Sequence, residues 1–279
     1  MNKQTFDINI GFDKISKLVS SGYVSEYGPG DFPVRSRRKK IFGVIAPNYT
    51  YDVCAGSAAW AYKEIAESEI PEEYIILGSG GQKFSTFLLS DWESSLGTIR
   101  INRDYGRLLI RGSLKLQNNV ADFENNYSID IQLPFLQFAN IKNLEKTKFI
   151  PILVGSVTYE EICEFADMIT EIDRDIAVIC SSNLSYYGKN YGYVPFLHAI
   201  KENIYQIDRK ALDFICNMDV KGFLEFTKKR NFLERNVVAL HLEIMKGLGC
   251  KKGILLNYHS SGDIEGYEKA VGFGTVVFR

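Results

Sequence analysis

The chain of 279 residues has only three histidines, His198, His241 and His259. No two of them stand at helical ligand spacing, which excludes a paired-histidine metal helix. Its five cysteines, Cys54, Cys163, Cys180, Cys216 and Cys250, are odd in number, widely spread and form no C-x-x-C pair. A disulfide framework is therefore not expected, and the cysteines read as reduced core thiols. No stretch of 18 uncharged apolar residues occurs, and MNKQTFDINIGFDK carries charges where a signal peptide needs an apolar run. The expectation is a soluble, cytoplasmic protein with no membrane partner. Neither sign of charge dominates: 33 Lys and Arg face 34 Asp and Glu, a net charge of -1. A nucleic-acid partner is accordingly not expected, since such proteins are visibly basic. Internal repeats, low-complexity tracts and long linkers are lacking too, so a single domain is expected.

With 46% apolar residues, the chain is long enough for one large α/β core. The organising stretch is Ile41 to Tyr51, IFGVIAPNYTY, an apolar run that ends at Ala46-Pro47 and opens into a polar aromatic loop. Tyr74–Gly80, Phe149–Gly155, Ile176–Asn183 and Gly253–Ser260 repeat the pattern, each a β-branched run stopping in Gly, Ser or Asn. Phe273–Phe278 reads as a last strand. Helices are expected over Phe12–Val19, Ala55–Ser68, Ser128–Asn140 with Pro134 kinking or restarting it, His198–Met218, Lys221–Lys229 and Val237–Leu248. Thr158-Tyr159-Glu160-Glu161 is a capping box that starts another. Residues 83–125 alternate and are broken by Ser, Gly and Asp, suggesting hairpin strands or an insertion over a sheet edge. The fold class expected is a single three-layer α/β domain over residues 41–279, with a mostly parallel central sheet flanked by helices and an antiparallel hairpin insertion. Residues 1–40 read as an N-terminal extension.

Ligands of open α/β sheets bind beyond the carboxyl ends of the strands, so the five stopping points should face one another. His259 ends one of them and is either functional or a hydrogen-bonded loop residue. His241 reads as a satisfied core histidine. Gly78-Ser79-Gly80-Gly81 could cradle a phosphate on its N–H groups, but it matches neither G-x-G-x-x-G nor G-x-x-x-x-G-K-[ST]. The basic run Arg35 to Lys40 reads as a solvated lead-in to the first strand in preference to a nucleic-acid contact.

Several motifs in order resemble the MEMO family, relatives of the class III extradiol dioxygenases. Ala46-Pro47-Asn48-Tyr49-Thr50-Tyr51 is similar to the family's A-P-H-A-G-Y, Ile76 to Gln82 to I-L-G-P-S-H-H, and Asn126 to Pro134 to E-H-S-I-E-M-H-L-P. Pro151 to Gly155 is similar to P-V-L-V-G, Ser181 to Gly188 to S-S-D-F-x-H-x-G, and Leu255 to Tyr258 to F-L-N-Y. The family implies metal-binding histidines in three of these motifs and a cysteine before a G-R-H segment. This chain has Asn48, Gly81 and Tyr186 at the histidine positions, and Leu233 is read at the cysteine position. Asn183 and Tyr127 replace the acidic and basic partners. Asparagine, glycine, tyrosine and leucine are poor ligands for iron or copper, and acid–base groups near neutral pH are lost with them.

What remains is a crevice expected to be lined by Asn48, Tyr49, Tyr51, Gln82, Tyr127, Gln132, Asn183, Tyr186, Arg235, Asn236 and His259. The resemblance with these departures implies a non-catalytic binding or assembly component, a pseudoenzyme with no metal or other cofactor. Its partner would be a protein or a small molecule, in the context of radical-SAM and small partner proteins, and it could oligomerise. The alternative is a dioxygenase-like oxidoreductase or a hydrolase with a relocated site using His259, Asp130 or Asp263, and Cys54 or Cys180. Only this alternative calls for iron or copper.

Overall fold

The computed structural model describes residues 12–94, 96–113, 115–124 and 126–279; residues 1–11 of the expected N-terminal extension lie outside the described residues. In chain order the helices are α1 (Phe12–Val24), α2 (Tyr51–Glu67), α3 (Arg103–Gly112), α4 (Tyr127–Asp130), α5 (Leu133–Ala139), α6 (Tyr159–Glu171), α7 (Ile200–Cys216), α8 (Val220–Thr227), α9 (Arg235–Gly247) and α10 (Gly262–Glu265). The strands are β1 (Gly43–Ala46), β2 (Glu73–Ser79), β3 (Phe84–Thr86), β4 (Trp92–Ser94), β5 (Gly97–Ile101), β6 (Leu116–Asn118), β7 (Lys148–Val154), β8 (Ile176–Ser181), β9 (Tyr186–Gly188), β10 (Gly253–Ser260) and β11 (Lys269–Phe278).

The main sheet runs β10-β11-β1-β8-β2-β7-β3-β6. Its centre, β1, β8, β2 and β7, is parallel, and these strands are apolar almost throughout because helices cover both faces. One face carries α1, α2 and α5; the other carries α3, α6 and α9, with α7 and α8 beyond them. This is the expected three-layer α/β fold. β11 is antiparallel to both β1 and β10, so two reversals leave β10 pointing the same way as β1. The loops after β1, β2, β7, β8 and β10 therefore do open at one edge of the sheet.

The insertion is richer than hairpins alone. β4 and β5 form an antiparallel hairpin, and β3 and β6 extend the sheet past β7. Between them, Arg103–Gly112 is a helix that the sequence reading missed. Asn102 caps it by accepting from the Tyr105 N–H, and Tyr105, Gly106 and Leu109 form its buried face. Gly106 obscured the helical pattern, but the helix needs it, because a Cβ there would stand 2.4 Å from Leu88.

Other expectations hold with shifted limits. The capping box of Thr158 and Glu161 forms, with both reciprocal hydrogen bonds. Pro134 restarts the helix in the first turn of α5. The helix expected from Ala55 begins four residues earlier, at Tyr51. In the N-terminal region, Ile15, Val19 and Tyr23 of α1 are buried in the main core.

The basic run is wired into the domain. Arg37 donates to the carbonyls of Ile65 and Ser68 at the end of α2, and to Ala139 O and Asn140 Oδ1 at the end of α5. A cation across two helix C-termini satisfies carbonyls that have no intrahelical partner and complements both dipoles. Arg35 donates to Phe138 O, Lys39 pairs with Glu67, and Lys40 pairs with Asp175. His241 differs from the expectation of a satisfied histidine. It is buried beside the Phe278 ring, neither ring nitrogen has a hydrogen-bond partner among the described residues, and burial lowers its pKa to about 3.

Candidate functional site

The loop after β1 and the loop after β8 are tied together by a pair of asparagines. Asn183 Oδ1 accepts from the Asn48 main-chain N–H at 3.0 Å, and Asn183 Nδ2 donates to Asn48 Oδ1 at 2.6 Å. The same Nδ2 reaches the Tyr186 hydroxyl at 2.9 Å, and that hydroxyl donates to Glu234 Oε1 at 2.6 Å. Asn48, Asn183, Tyr186 and Glu234 thus form one continuous network at the strand ends. Gln132 closes it from below: its Nε2 donates to Pro47 O and Ser181 Oγ, and its Oε1 accepts from Tyr62. These are the contacts through which α4 and α5 hold the β1 loop in place.

Glu234 is the residue that the sequence reading missed. Leu233, read at the cysteine position, is 58% exposed, whereas Glu234 is 5% exposed and turns into the network. Which of the two turns inward follows from chain direction: Glu234 precedes α9, and its backbone orientation there, which no linear motif records, aims its side chain inward. Burial pushes its carboxyl up to about 7, against the hydrogen bonds of Tyr186, Asn48 and the Asn183 main chain that favour ionisation. Tyr186 is raised well above its ordinary value by burial and by the neighbouring Glu234.

The other expected site residues divide into groups. Tyr49, Tyr51, Tyr127 and Asn48, with Ile131 and Leu18, line a cavity of about 560 Å³ beside the network. Tyr51 spends its hydroxyl on Ile131 O, and Tyr127 is 55% exposed at the rim. Asn236 donates to Gly155 O and Arg235 is half-buried at the start of α9. Gln82 is exposed, and its main-chain carbonyl accepts from Ser156 N. His259 does not join the network. It stacks on Tyr27 at 4.1 Å, bonds Val53 O, and is separated from Tyr49 by the Phe273 ring, which both rings contact.

The glycine loop is not an anion cradle. A Cβ at Gly80 would meet Asn126 at 2.3 Å, and one at Gly81 would meet the Asp122 carboxylate at 2.8 Å, so side chains already occupy the concavity. A carboxylate there repels phosphate. Of the relocated set, Asp263 is held by Lys201, Tyr205 and Tyr267 near His259, Cys180 is buried within β8, and Cys54 Sγ donates to Tyr49 O. Asp130 is buried, its carboxyl raised to about 7 by burial. Among the described residues, no three of His, Cys, Asp and Glu gather as an ion would need.

A Memo-like protein family model matches residues 14–277, nearly the whole chain. The chain belongs to the MEMO family. It is 30% identical to the MEMO1 family protein MK0963 of Methanopyrus kandleri over 279 residues, covering 96% of this chain and 94% of that one. It is 29% identical to the MEMO1 family protein TK1477 of Thermococcus kodakarensis, covering 86% and 88%. A crystal structure of an uncharacterized protein, JW3007 from Escherichia coli K12, shares the fold with a TM-score of 0.51 at 9% identity, covering 86% of this chain and all of that one.

The metal that the MEMO resemblance implies does not fit these residues. The asparagine amides are bonded to each other, Gly81 offers no donor, and the Tyr186 hydroxyl is committed to Asn183 and Glu234. One carboxylate remains, which is too few donors for a divalent transition metal.

Proposed function

We propose that this MEMO-family chain binds or assembles and does not transform, with its ligand or partner engaging the cavity beside the former ligand positions. The observation that carries this reading is the Asn48–Asn183–Tyr186–Glu234 network, in which Asn48 and Tyr186, at two of the positions where the resemblance implies ligands, are tied to each other through Asn183. Interlocked neutral groups hold loops in shape, and the adjoining cavity of about 560 Å³ has the mixed aromatic and polar wall of a binding site. Its size suits a small molecule or an inserted side chain of a protein partner. No helix among the described residues is long and apolar enough to cross a membrane, and the cytoplasm is the compartment this reading assigns.

One observation favours a second reading. Glu234, with its carboxyl at about 7 and its hydrogen bond to Tyr186, titrates where a general acid or base must. An oxidoreductase or hydrolase with an altered site would use that pair, and iron or copper belongs to this reading alone. The test is metal analysis with native mass spectrometry on untagged protein, before and after loading with ferrous or cupric ion. Less than about a tenth of an equivalent, well below the stoichiometry a four-donor site gives, is expected. Near one equivalent, lost in Glu234→Gln, would overturn the binding reading in favour of the second.

A further inference from the structure

The sheet has one open border of unusual character. β10 is its terminal strand, and among the described residues no strand pairs with its outer side. Open edges are ordinarily blunted by charge, proline, brevity or a β-bulge, and of these β10 carries only an irregularity between Leu255 and Asn257. β10 runs for eight residues, and from Ile254 to Tyr258 it contains neither charge nor proline. Ile254 is 39% exposed and Leu255 is 45% exposed; as neighbours on a strand they point to opposite faces. At these two positions the edge is open on both faces, whereas α2 and α7 pack against the rest of the strand. On the α7 side, Leu255 and Tyr258 form with Tyr205, Arg209 and Leu212 a groove of about 310 Å³.

We infer that this edge is the docking surface for a second copy of the chain, joined by antiparallel β10–β10 pairing across a twofold axis. Charge selects both the partner and the direction. Exposed Lys251 and Lys252 lead into β10, and exposed Glu265 and Glu268 follow it; none of the four has an ion pair among the described residues. Antiparallel pairing sets the basic entry of each copy beside the acidic exit of the other, whereas parallel pairing sets like charges together. The twofold closes after two copies, so the contact ends in a dimer and not a fibre. Paired about the strand's middle, Leu255 of each copy lies beside Tyr258 of the other, and the two α7 grooves are roofed.

Sedimentation velocity of the full chain, run from about 1 to 100 μM, spans the affinity expected of a modest strand-mediated contact. The expected result is a species of twice the 31.7 kDa chain mass. Leu255→Lys should weaken it at least about tenfold, as loss of a central apolar anchor does, with the far-UV circular dichroism unchanged. Because that variant alone could perturb the sheet, Lys251→Glu/Lys252→Glu is the second arm. It should weaken self-association and recover when mixed with Glu265→Lys/Glu268→Lys. A monomer at every concentration, or a dimer indifferent to these variants, overturns the inference.

Discussion

Glu73 opens β2 fully buried on the side of the sheet away from the candidate site, and its charge state sets a measurable term in stability. Its Oε2 accepts from Asn102 Nδ2 at 2.6 Å, while Oε1 has no hydrogen-bond partner among the described residues. Burial raises the carboxyl to about 8, against the Asn102 hydrogen bond and the more distant Lys148 and Arg174. In the unfolded chain the same group ionises near 4.5. The folded state therefore holds a proton that the unfolded state releases. The stabilisation is fully present below about 4.5 and is lost as pH rises through about 8, at about 1.4 kcal/mol per pH unit between the two. Carried to pH 8, the loss amounts to about 4 kcal/mol, a sizeable part of a domain's total stability.

Glu73→Gln keeps the acceptor for Asn102 and removes the titration. Its amide nitrogen replaces an oxygen that already lacked a partner, a pH-independent change of about 1 kcal/mol. The readout is therefore the slope and not the intercept. Urea unfolding of both proteins at intervals from pH 5 to pH 8 should give stability differences that climb in the variant's favour. Asp130, Glu234, the buried histidines and Asp208, a buried residue of α7 that accepts from the Tyr258 hydroxyl, titrate in both proteins, so their effects cancel in that difference. Parallel curves across the range would refute the burial argument for Glu73.

Two further substitutions probe the site and the frame around it. Tyr186→Phe removes the hydroxyl between Asn183 and Glu234 and strands both; it should cost about 1–3 kcal/mol, seen as an earlier urea midpoint that falls further as pH rises from 6 to 8 and Glu234 ionises without its donor. Arg37→Lys keeps the charge but cannot serve four acceptors on two helices, and should cost about 1–2 kcal/mol with faster amide exchange at the ends of α2 and α5; an unchanged midpoint would mean that the bridge is not a clamp.

The sequence by itself determined the layered α/β architecture. Short β-branched runs ending in Gly, Ser or Asn and alternating with helical patterns mark the strands of a covered parallel sheet, and a strict capping box fixes where a helix starts. It also determined the family, because ordered motifs survive where single ligands do not. The absence of histidine at Asn48, Gly81 and Tyr186 was legible for the same reason. Helix α3 was not legible, since Gly106 is there for its close approach to Leu88, a demand made by a neighbour and not by the helix. Nor was the centre of the site. Asn48, Asn183, Tyr186 and Glu234 come from three separated stretches, and which side chain of Leu233-Glu234 turns inward depends on how the chain enters α9. His259 shows the converse: a strand end aimed it at the crevice, yet the Phe273 ring stands between it and Tyr49. Periodicity and punctuation are local and can be read along the chain; burial, shared hydrogen bonds and raised carboxyl pKa values arise only when distant segments exclude water together.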